Sequence, residues 1–433
     1  MRIASVKGFH DILPDESVRW QWIEQQAREL FARYAFAEIC IPIVERTELF
    51  SRSIGETTDI VEKEMYTFTD RDGSSLTLRP EGTASIVRAY VEHALHQREA
   101  VSKLFYFGPM FRRERPQKGR LRQFSQVGVE VIGRDDAAID AEVLLLLHDL
   151  LAGVQVRGAQ IELNSLGCGA CRPGYRAALL AYGEAHRDVL CENCSRRLER
   201  NPLRLLDCKD PACRESTADA PMMMDYLCEA CRTHFDAVRA MLARESVEPR
   251  LNPRMVRGLD YYCRTAFEVV AEGLGAQNAV GGGGRYDGLV KALGGPDAAG
   301  IGFALGIERL VLALAEHERI RPQVPEVFVA PIGSVAEMEA MHLAHRWRRD
   351  AMRVEMASGG RSLKSQMRLA DRVGSPYVLI LGEEELAARS LTVRDMVAKR
   401  DFPRAIEMSS SANALRQALL QCAQPVGSNA RER

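Results

Sequence analysis

Five cations lie within the ten residues of FRRERPQKGR, the stretch from Phe111 to Arg120. The whole chain has a formal net charge of only −1, so this local excess is a candidate surface for binding an anion. A proline and a glycine interrupt the stretch between two strand-like runs, which predicts a hairpin with a basic tip. Because side chains alternate along a strand, Arg112 and Glu114 are expected on one face and Arg113 on the other. Taken alone, the segment fits a solvated charged hairpin equally well.

Two other segments carry residue types suited to the same chemistry. GIGFALGIERLVLAL, from Gly300, places Arg309 at a predicted junction of strand and helix, where a guanidinium group can reach phosphate oxygens. TLRPEGTASIVRAY, from Thr77, presents Glu81 and Thr83 where a strand ends and a helix begins. Pro, Glu and Thr in a first helical turn also have a purely local explanation as helix starters and caps. The presence of all three segments in one chain favours a shared anion site.

Eight of the eleven cysteines form four close pairs between residues 168 and 231. Three of the pairs have a gap of two residues, which lets both thiolates face one tetrahedral ion. The candidate structural zinc ligands are Cys168, Cys171, Cys191, Cys194, Cys208, Cys213, Cys228 and Cys231. Reduced thiols in a small packed domain are the alternative, and the number of ions stays open. Cys40, Cys263 and Cys422 fall outside the pattern and are expected to be packing residues.

Composition predicts a globular, cytoplasmic protein. The chain has 433 residues, of which 46% are hydrophobic, so it can bury the cores of about two to four domains. The first thirty residues are charged throughout and fit neither a secretory signal nor a transit peptide. The longest apolar run, VLLLLHDLLAGV from Val143, is shorter than the roughly 18 residues that span a bilayer, so no membrane segment is expected. A reducing cytoplasm keeps cysteines free or bound to metal.

Periodicity divides the chain into regions of different architecture. Asp15 to Tyr34 has the apolar spacing of an amphipathic helix, and EICIPIV, which follows, predicts a strand in which Pro42 marks an edge or an interface. Further strand-like runs begin at Ser75, Lys103, Phe124, Gln160, Ala266 and Gly300. Short turns join most of these runs, which favours an α+β domain with an antiparallel sheet and flanking helices. Residues 168–231 lose strand periodicity and are predicted to be an insertion.

The pattern of strand-like and helical segments changes from Pro325 onward. Strand-like and helical segments alternate there, which predicts a small α/β domain with a mainly parallel sheet. The stretch RIRPQVP, from Arg319, is the predicted linker, and the polar residues 426–433 are the predicted flexible tail.

Several strings resemble a known family. FRRE and GIGFALGIERL resemble motifs 2 and 3 of class II aminoacyl-tRNA synthetases, and the helix and strand ending at Pro42 resemble motif 1. VRGLDYY, from Val256 to Tyr262, and GGGGRYDGL, from Gly281 to Leu289, resemble the signature sequences of the histidyl-tRNA synthetase family. The resemblance covers essentially the whole chain. It implies a class II catalytic domain over 1–320, a cysteine-rich insertion over 168–250, a C-terminal α/β anticodon-binding domain over 322–425, and a homodimer.

The resemblance also implies the reaction and the residues that carry it. The reaction is the ATP-dependent ligation of L-histidine to tRNA(His) through a histidyl-adenylate, with release of pyrophosphate and AMP and with Mg²⁺ on the outer phosphates. The implied catalytic residues are Arg257 and Arg112. The implied ATP-binding residues are Arg112, Glu114, Arg120, Phe124 and Arg309. The implied histidine-binding residues are Glu81, Gly82, Thr83, Arg112, Gln126, Glu130, Arg257, Tyr261, Tyr262 and Tyr286.

Two further features follow from the same comparison. Gln117 and Lys118, in the hairpin tip, match positions that face the tRNA acceptor end. The glycines from Gly281 to Gly284 would let backbone approach a ligand without Cβ atoms in the way, although a mobile turn is the other interpretation.

Two rival functions remain at this stage. A class II synthetase for another amino acid would keep motifs 2 and 3 but lack RGLDYY. A non-catalytic regulatory paralogue acting with ATP phosphoribosyltransferase typically lacks the C-terminal domain and the catalytic arginines. Arg112, Arg257 and Arg309 are all present here with a full C-terminal region, which favours the ligase.

Overall fold

A computed structural model describes residues 3–423, except 56–57, 200, 209, 276–277, 315–319, 321 and 359. The chain divides into two compact units, Met1–Ile320 and Arg321–Arg433. The predicted tail, 426–433, and the start of the predicted linker at Arg319 lie outside the described residues.

Most of the first unit alternates strands and helices around one large sheet. Its strands are β1 (Ala37–Glu38), β2 (Val44–Arg46), β3 (Tyr66–Thr69), β4 (Ser75–Leu78), β5 (Ser102–Phe111), β6 (Gln123–Ile132), β7 (Gln160–Ser165), β8 (Arg250–Leu251), β9 (Cys263–Val270), β10 (Ala279–Arg285) and β11 (Gly300–Gly306). Its α-helices are α1 (Pro14–Arg33), α2 (Thr47–Ile54), α3 (Thr83–Glu92), α4 (Ala137–Gly153), α5 (Arg172–Ala185), α6 (Glu192–Arg197), α7 (Pro211–Ser216), α8 (Glu229–Arg244), α9 (Leu289–Ala292) and α10 (Ile307–Ala313).

The large sheet has the strand order β1-β5-β6-β11-β10-β9-β7-β8. Only its edges are parallel, where β1 pairs with β5 and β8 pairs with β7, and the strands between them are antiparallel. The expectation of an antiparallel sheet with flanking helices is therefore confirmed. Helix α1 buries Trp20, Ile23, Ala27 and Leu30 along one stripe, as the helical period requires, and these residues share a core with α4 and the central strands.

The prediction of one strand over EICIPIV is wrong. The segment contributes to β1 at one end and to β2 at the other, and these strands belong to different sheets, since β2 pairs with β4 in a three-stranded sheet of order β2-β4-β3. Pro42 has no N–H to donate to a ladder. The buried guanidinium group of Arg79 instead binds the backbone carbonyls of Ile41 and Pro42, at 2.6 and 3.2 Å, so the chain crosses between the two sheets at this proline.

The glycine run forms the middle strand β10 of the large sheet, not a turn. An ideal Cβ on Gly281 would lie 2.2 Å from the backbone oxygen of Ala304, and one on Gly283 would lie 2.0 Å from that of Gly302. Real Cβ contacts are longer, so the close approach of β11 excludes side chains at Gly281 and Gly283, as that of β9 does at Gly282 and Gly284.

The insertion lies between β7 and β8 and consists of helices α5 to α8 with short 3₁₀ turns. It has its own small apolar clusters, one around Cys171 and Cys231 and the other around Cys194 and Cys213. The predicted loss of strand periodicity is confirmed in this region.

The second unit has its own core. Its elements are β12 (Val327–Pro331), α11 (Ser334–Arg349), β13 (Val354–Met356), α12 (Leu363–Arg372), β14 (Tyr377–Leu381), α13 (Glu383–Ala388), β15 (Ser390–Asp395), β16 (Arg400–Asp401), β17 (Ile406–Glu407) and α14 (Ala412–Ala423). Strands β13, β12 and β14 are parallel, but β15 pairs antiparallel with β14, β16 and β17. The α/β prediction is confirmed, whereas the mainly parallel sheet is wrong, because the strands after β14 return through short connections that allow antiparallel pairing.

No helix in the described part of the chain combines the length and apolar character needed to cross a bilayer.

Candidate functional site

Residues that the sequence spreads over more than two hundred positions line one cavity of about 240 Å³ in the first unit. The β5–β6 hairpin, the start of α3, the central strands β10 and β11 and the segment before β9 form its walls. The predicted site residues that line it are Glu81, Thr83, Arg112, Glu114, Arg120, Phe124, Gln126, Glu130, Arg257, Tyr261, Tyr262, Tyr286 and Arg309. Arg112, Arg257 and Arg309 thus share one cleft. Gly82 supports the wall from behind, since a Cβ there would lie 2.4 Å from the Tyr106 ring.

Arg112 is oriented by backbone and by an aromatic ring. Its Nε donates to the backbone carbonyl of Pro80 at 2.9 Å, and its guanidinium carbon lies 5.3 Å from the centroid of the Phe124 ring. Arg112 and Glu114 both line the cavity while Arg113 is exposed, as the alternation predicts. One edge of the Arg112 guanidinium group is therefore fixed, which leaves its Nη atoms available to an anion.

A second positive region lies at the hairpin and α10. Arg120 forms an ion pair with Glu114, with 3.0 Å between nitrogen and oxygen. Burial, together with the charge of nearby Arg120, lowers the pKa of Arg309. A guanidinium group whose charge is disfavoured in the free protein, as that of Arg309 is, gains stability from a bound anion.

Arg257 lies at the opposite wall. Its Nη1 donates to Glu268 Oε1 at 3.0 Å, and its guanidinium carbon lies 5.4 Å from the centroid of the Tyr262 ring. Its buried Nε has no partner among the described residues. Buried donors are normally satisfied, so this N–H is one that a ligand oxygen would complete.

A buried polar network closes one end of the cavity. Glu81 caps α3 by accepting from the backbone N–H groups of Thr83 and Ala84 at 2.7 and 2.9 Å. The Thr83 hydroxyl donates to Glu130 Oε1 and the Tyr286 hydroxyl donates to Glu130 Oε2, both at 2.6 Å. The local capping explanation for the PEGT segment therefore holds for Glu81, and the same residues also form a polar pocket.

The surroundings of Glu130 change the pKa of its carboxyl group. Burial raises the pKa of Glu130 to about 8, against the opposing effect of the hydrogen bonds from Thr83 and Tyr286. Burial also raises the pKa of Glu81. Near neutral pH, Glu130 is therefore largely protonated in the free protein, and its charge depends on the ligand that it meets.

Further unsatisfied atoms face the same pocket. The buried Tyr106 hydroxyl and the buried Gln126 Oε1 have no hydrogen-bond partner among the described residues. Buried polar atoms without partners are costly, so the pocket is matched to a ligand with both donor and acceptor groups.

Gln117 and Lys118, in the hairpin tip, do not line the cavity, whereas Gly119 and Arg120 do. Gln117 and Lys118 are exposed and form a tight turn closed by a backbone pairing between Gln117 and Arg120. Gly119 lies against α10, where an added Cβ would approach Leu312 Cδ1 to 2.9 Å. The tip is thus anchored at one side and open to a large partner at the other.

Three residues with polar side chains that line the cavity were not predicted from the sequence: Tyr106, Glu268 and Glu308. Glu308 accepts from the Ser125 N–H at 2.8 Å, and burial raises the pKa of Glu308 to about 7. The side-chain alternation of β9 could have flagged Glu268 as an acid within a strand, but its partner Arg257 depends on tertiary structure.

The insertion cysteines form two groups in the described part of the chain. The proximal cysteine cluster consists of Cys168, Cys171, Cys228 and Cys231, and the distal cysteine cluster consists of Cys191, Cys194, Cys208 and Cys213. Within each cluster all four Sγ atoms lie within 4.8 Å of one another, so each cluster can hold a metal ion.

The remaining cysteines differ from one another. Cys40 is exposed, so the prediction that it packs is wrong: it follows β1 in the crossing segment between two sheets. Cys263 is half-buried and its sulfur accepts from the Asp287 N–H at 3.4 Å. The side chain of Cys422 lies outside the described residues.

The amino-acid sequence matches known proteins over nearly its full length. The family model described as histidyl-tRNA synthetase matches residues 8–169 and 209–310, and a model described as an anticodon binding domain matches residues 326–417. The histidine–tRNA ligase of Syntrophotalea carbinolica is 53% identical over 421 residues, which cover 97% of this chain and 99% of that one. That of Trichlorobacter lovleyi is 53% identical over 415 residues, covering 96% and 99%.

The fold matches as well. The crystal structure of apo histidyl-tRNA synthetase from S. aureus aligns with a TM-score of 0.79 at 35% identity, covering 96% of this chain and 99% of that chain. The chain belongs to the histidyl-tRNA synthetase family of class II aminoacyl-tRNA synthetases.

Proposed function

We propose that this chain is a histidine–tRNA ligase that activates L-histidine with ATP and transfers the histidyl group to tRNA(His). The observation that carries the proposal is the convergence of Arg112, Arg257 and Arg309 on one cavity beside the buried network around Glu130. Relatives with this activity match the chain from its catalytic residues through the C-terminal unit, so the non-catalytic regulatory paralogue is not favoured.

In the first step, a histidine carboxylate oxygen bonds to the α-phosphorus of ATP and the bond to the β-phosphate oxygen breaks, which releases pyrophosphate. Arg112 and Arg257 are assigned to the α-phosphate and the substrate carboxylate from opposite walls. Arg120 and Arg309 are assigned to the outer phosphates. Fixed guanidinium groups stabilise the charge that develops in such transfers, and their ion pairs with Glu114 and Glu268 keep two of them oriented before the anion arrives.

ATP is also held through its base, with Glu114 assigned to the adenine amino group and Phe124 to the face of the ring. Mg²⁺ is the expected companion of the β- and γ-phosphates, where it neutralises charge. Glu308, which lines the same cavity, would offer an oxygen donor of the kind that Mg²⁺ prefers.

Histidine selectivity is assigned to the polar end of the cavity. Glu81, Thr83 and Gln126 are assigned to the ammonium group, and Glu130 and Tyr262 to the imidazole nitrogens, with Tyr261 and Tyr286 as lining. An imidazole ring offers one donor and one acceptor, which can pair with Glu130 and Tyr262, and the unpaired Oε1 of Gln126 can accept from the ammonium group. A side chain without those groups would leave buried polar atoms unpaired, which gives strong selectivity without editing.

In the second step, the 3′-terminal hydroxyl of the tRNA bonds to the histidyl carbonyl carbon, the bond to AMP breaks, and the hydroxyl loses its proton. The exposed Gln117 and Lys118 are assigned to the acceptor end of the tRNA. The unit over 322–425 is assigned to anticodon binding, and 1–320 to catalysis with 168–250 as the insertion.

The remaining assignments concern assembly, metal and compartment. A homodimer is proposed from the motif 1 resemblance, and the exposed Ile43 and Val44 beside Pro42 offer apolar surface for it. Sedimentation velocity would give a monomer if this is wrong. The insertion cysteines are proposed to bind structural zinc, and free cysteines of this kind fit a reducing, cytoplasmic location.

ATP–pyrophosphate exchange with each amino acid in turn tests the function. A signal with histidine alone supports the ligase. A signal with another amino acid would mean that the enzyme has a different specificity. The absence of a signal with every amino acid tested would refute amino-acid activation.

A further inference from the structure

The sulfur geometry of the two cysteine clusters matches tetrahedral metal sites. Cys168 and Cys171 Sγ are 3.6 Å apart, Cys168 and Cys228 Sγ are 3.9 Å apart, and Cys191 and Cys208 Sγ are 3.9 Å apart. Four thiolates at about 2.3 Å from a tetrahedral zinc ion lie about 3.8 Å from one another. A disulfide would require a separation of about 2.05 Å.

Both clusters have backbone support for thiolates. The Cys191 N–H donates to Cys213 Sγ at 2.9 Å, and the Cys228 N–H donates to Cys171 Sγ at 3.2 Å. Groups of this kind around a metal orient its ligands. Among the described residues, the apolar group around the distal cluster has Leu198 and Leu205 as its only buried members besides cysteines, which is too little core to hold this part of the insertion without a metal.

The proximal cluster is joined to the end of the segment that carries the pocket tyrosines. Arg172 follows Cys171 directly, and its guanidinium group donates to the backbone carbonyls of Leu166 and Tyr262. Val256 packs against the apolar group that contains Cys171. The proximal cluster therefore supports the chain on both sides of Arg257.

The distal cluster is joined to the beginning of the same segment. The Thr217 hydroxyl donates to the Cys213 carbonyl at 2.7 Å. The guanidinium group of Arg254 donates to the Thr217 carbonyl, and its Nη2 donates to the Thr217 hydroxyl at 2.8 Å. Thr217 thus connects the distal cluster to the residue three positions before Arg257.

Little else supports segment 254–262 on the side of the insertion. A cavity of about 520 Å³ separates the two, lined by Leu203 and Met223 from the insertion and by Arg257, Leu259 and Tyr262 from the segment. The contact between the segment and the insertion therefore depends on the two arginine links at the ends and on the packing of Val256.

We propose that the insertion binds two zinc ions, one in each cysteine cluster, and that together they hold segment 254–262 in the position from which Arg257 and Tyr262 line the histidine pocket. Arg172 and Arg254 are positioning residues in this arrangement. The part that concerns the histidine pocket rests on the proposed function, whereas the metal sites do not.

Metal content tests the two sites independently of activity. Protein reduced anaerobically, reconstituted with Zn²⁺ and desalted should contain two zinc ions per chain by plasma mass spectrometry. The double variants Cys168→Ser/Cys228→Ser and Cys191→Ser/Cys208→Ser should each retain one, and Co²⁺ in the remaining site should give the absorption of a tetrahedral thiolate complex. Wild-type protein with one ion or none, or a double variant that loses both, would overturn the two independent sites.

Arginine variants test the coupling without touching a ligand. Arg172→Met and Arg254→Met should retain two zinc ions and raise KM for histidine in exchange by roughly tenfold, with a smaller change in KM for ATP. Arg187→Met is the matched control in the same insertion, since Arg187 is paired with Glu184 and Glu199 there, and its KM should stay at the wild-type value. Unchanged KM for histidine in both test variants would refute the coupling but leave the metal sites intact. Wild-type protein inactive with histidine would refute the proposed function and, with it, this coupling.

Discussion

The side chain of Arg257 has a carboxylate partner, an aromatic neighbour and one buried N–H that lacks a partner among the described residues. Such a group is held in place before the ligand arrives, so we expect it to contribute more to charge stabilisation during the reaction than to the stability of the fold. We expect Arg257→Ala to lower exchange with histidine by at least about 10²- to 10³-fold, the usual effect of one lost charge-stabilising donor.

Circular dichroism of Arg257→Ala should match wild type, since truncation at the edge of a cavity removes little packing. Arg52→Ala is the control, because Arg52 is exposed and forms an ion pair with Glu48 of its own helix. Exchange by Arg257→Ala within threefold of wild type would remove this residue from the chemistry.

The buried Glu130 makes stability depend on pH. Burial raises its folded pKa to about 8, above the ordinary value of 4.5, so the folded state holds the proton more tightly than the unfolded state. Its contribution to stability is therefore present below about pH 4.5 and is lost as pH rises through about 8. Relative to Glu130→Gln, wild-type protein should lose on the order of a few kcal/mol of unfolding free energy between pH 5 and 9.

Urea unfolding at several pH values measures this difference. The exposed Glu272→Gln serves as the control and should follow the wild-type curve. Parallel curves for wild type and Glu130→Gln would mean that Glu130 is not buried as described.

At the scale of elements, the strands and the tip of the β5–β6 hairpin have different roles. Its strands place Arg112 and Phe124 in the cavity, and its exposed tip carries Gln117 and Lys118. We expect Gln117→Ala/Lys118→Ala to lower kcat/KM for tRNA in aminoacylation by about tenfold and to affect exchange much less, because phosphate and base contacts of the tip serve only the second substrate. Arg71→Ala, at the tip of the β3–β4 hairpin, is the matched control. An equal loss in both assays would place the tip in the first step.

The junction of α4, α8, β9 and β10 depends on one buried carboxylate. Asp140 accepts from His234 Nε2 at 2.8 Å, from the Thr265 hydroxyl at 2.5 Å and from Arg285 Nε at 2.7 Å, and Asp140 and Arg285 are fully buried. Arg285→Met leaves that carboxylate uncompensated, so we expect it to lower the unfolding free energy by about 3–5 kcal/mol.

Urea unfolding checks this value. Arg264→Met is the control, because its ion pair with Asp287 is long, 3.9 Å, and partly exposed, and it should cost at most about 1 kcal/mol. A loss for Arg285→Met no larger than for Arg264→Met would show that the buried pair is not needed.

The sequence predicts local elements well and their long-range pairing less well. The helical period of α1 and the alternation in β5 and β6 are local signals, and all three elements form where they were expected. The combination of Cys168 with Cys228, sixty residues away, and of Arg257 with Glu268 requires tertiary structure. The run EICIPIV looks like one strand because its β-branched residues give a stronger local strand signal than the proline gives against it. In the structure, Arg79, from a distant segment, donates hydrogen bonds to the carbonyls of Ile41 and Pro42.

The glycine run illustrates a different limit. Consecutive glycines have no periodicity and usually mark turns, so no pattern indicates a central strand. Only the backbones of the two neighbouring strands, β9 and β11, explain why these residues cannot carry side chains.

At the scale of the whole molecule, the two units have separate cores. The large cluster of the first unit and the clusters around Trp347 and Phe328 in the second share no residue. We expect the fragment 1–320 to fold, to retain exchange with histidine within about tenfold, and to lose most aminoacylation, since the anticodon-binding role is assigned to the second unit.

Differential scanning calorimetry and the two assays on the fragment check this expectation, with the full chain as the reference. A fragment that folds but has no exchange would mean that the second unit contributes to activation. A fragment that charges tRNA as well as the full chain would remove the anticodon role.

Strand β10 gives the cavity a floor of peptide groups at Gly281 and Gly282. Peptide groups have no side-chain rotamers, so conservative replacement cannot reshape this floor. Even a methyl group on one of these glycines would meet the backbone of an adjoining strand. Laboratory evolution of this scaffold toward histidine analogues should therefore find its beneficial changes on the rim and leave all four glycines untouched.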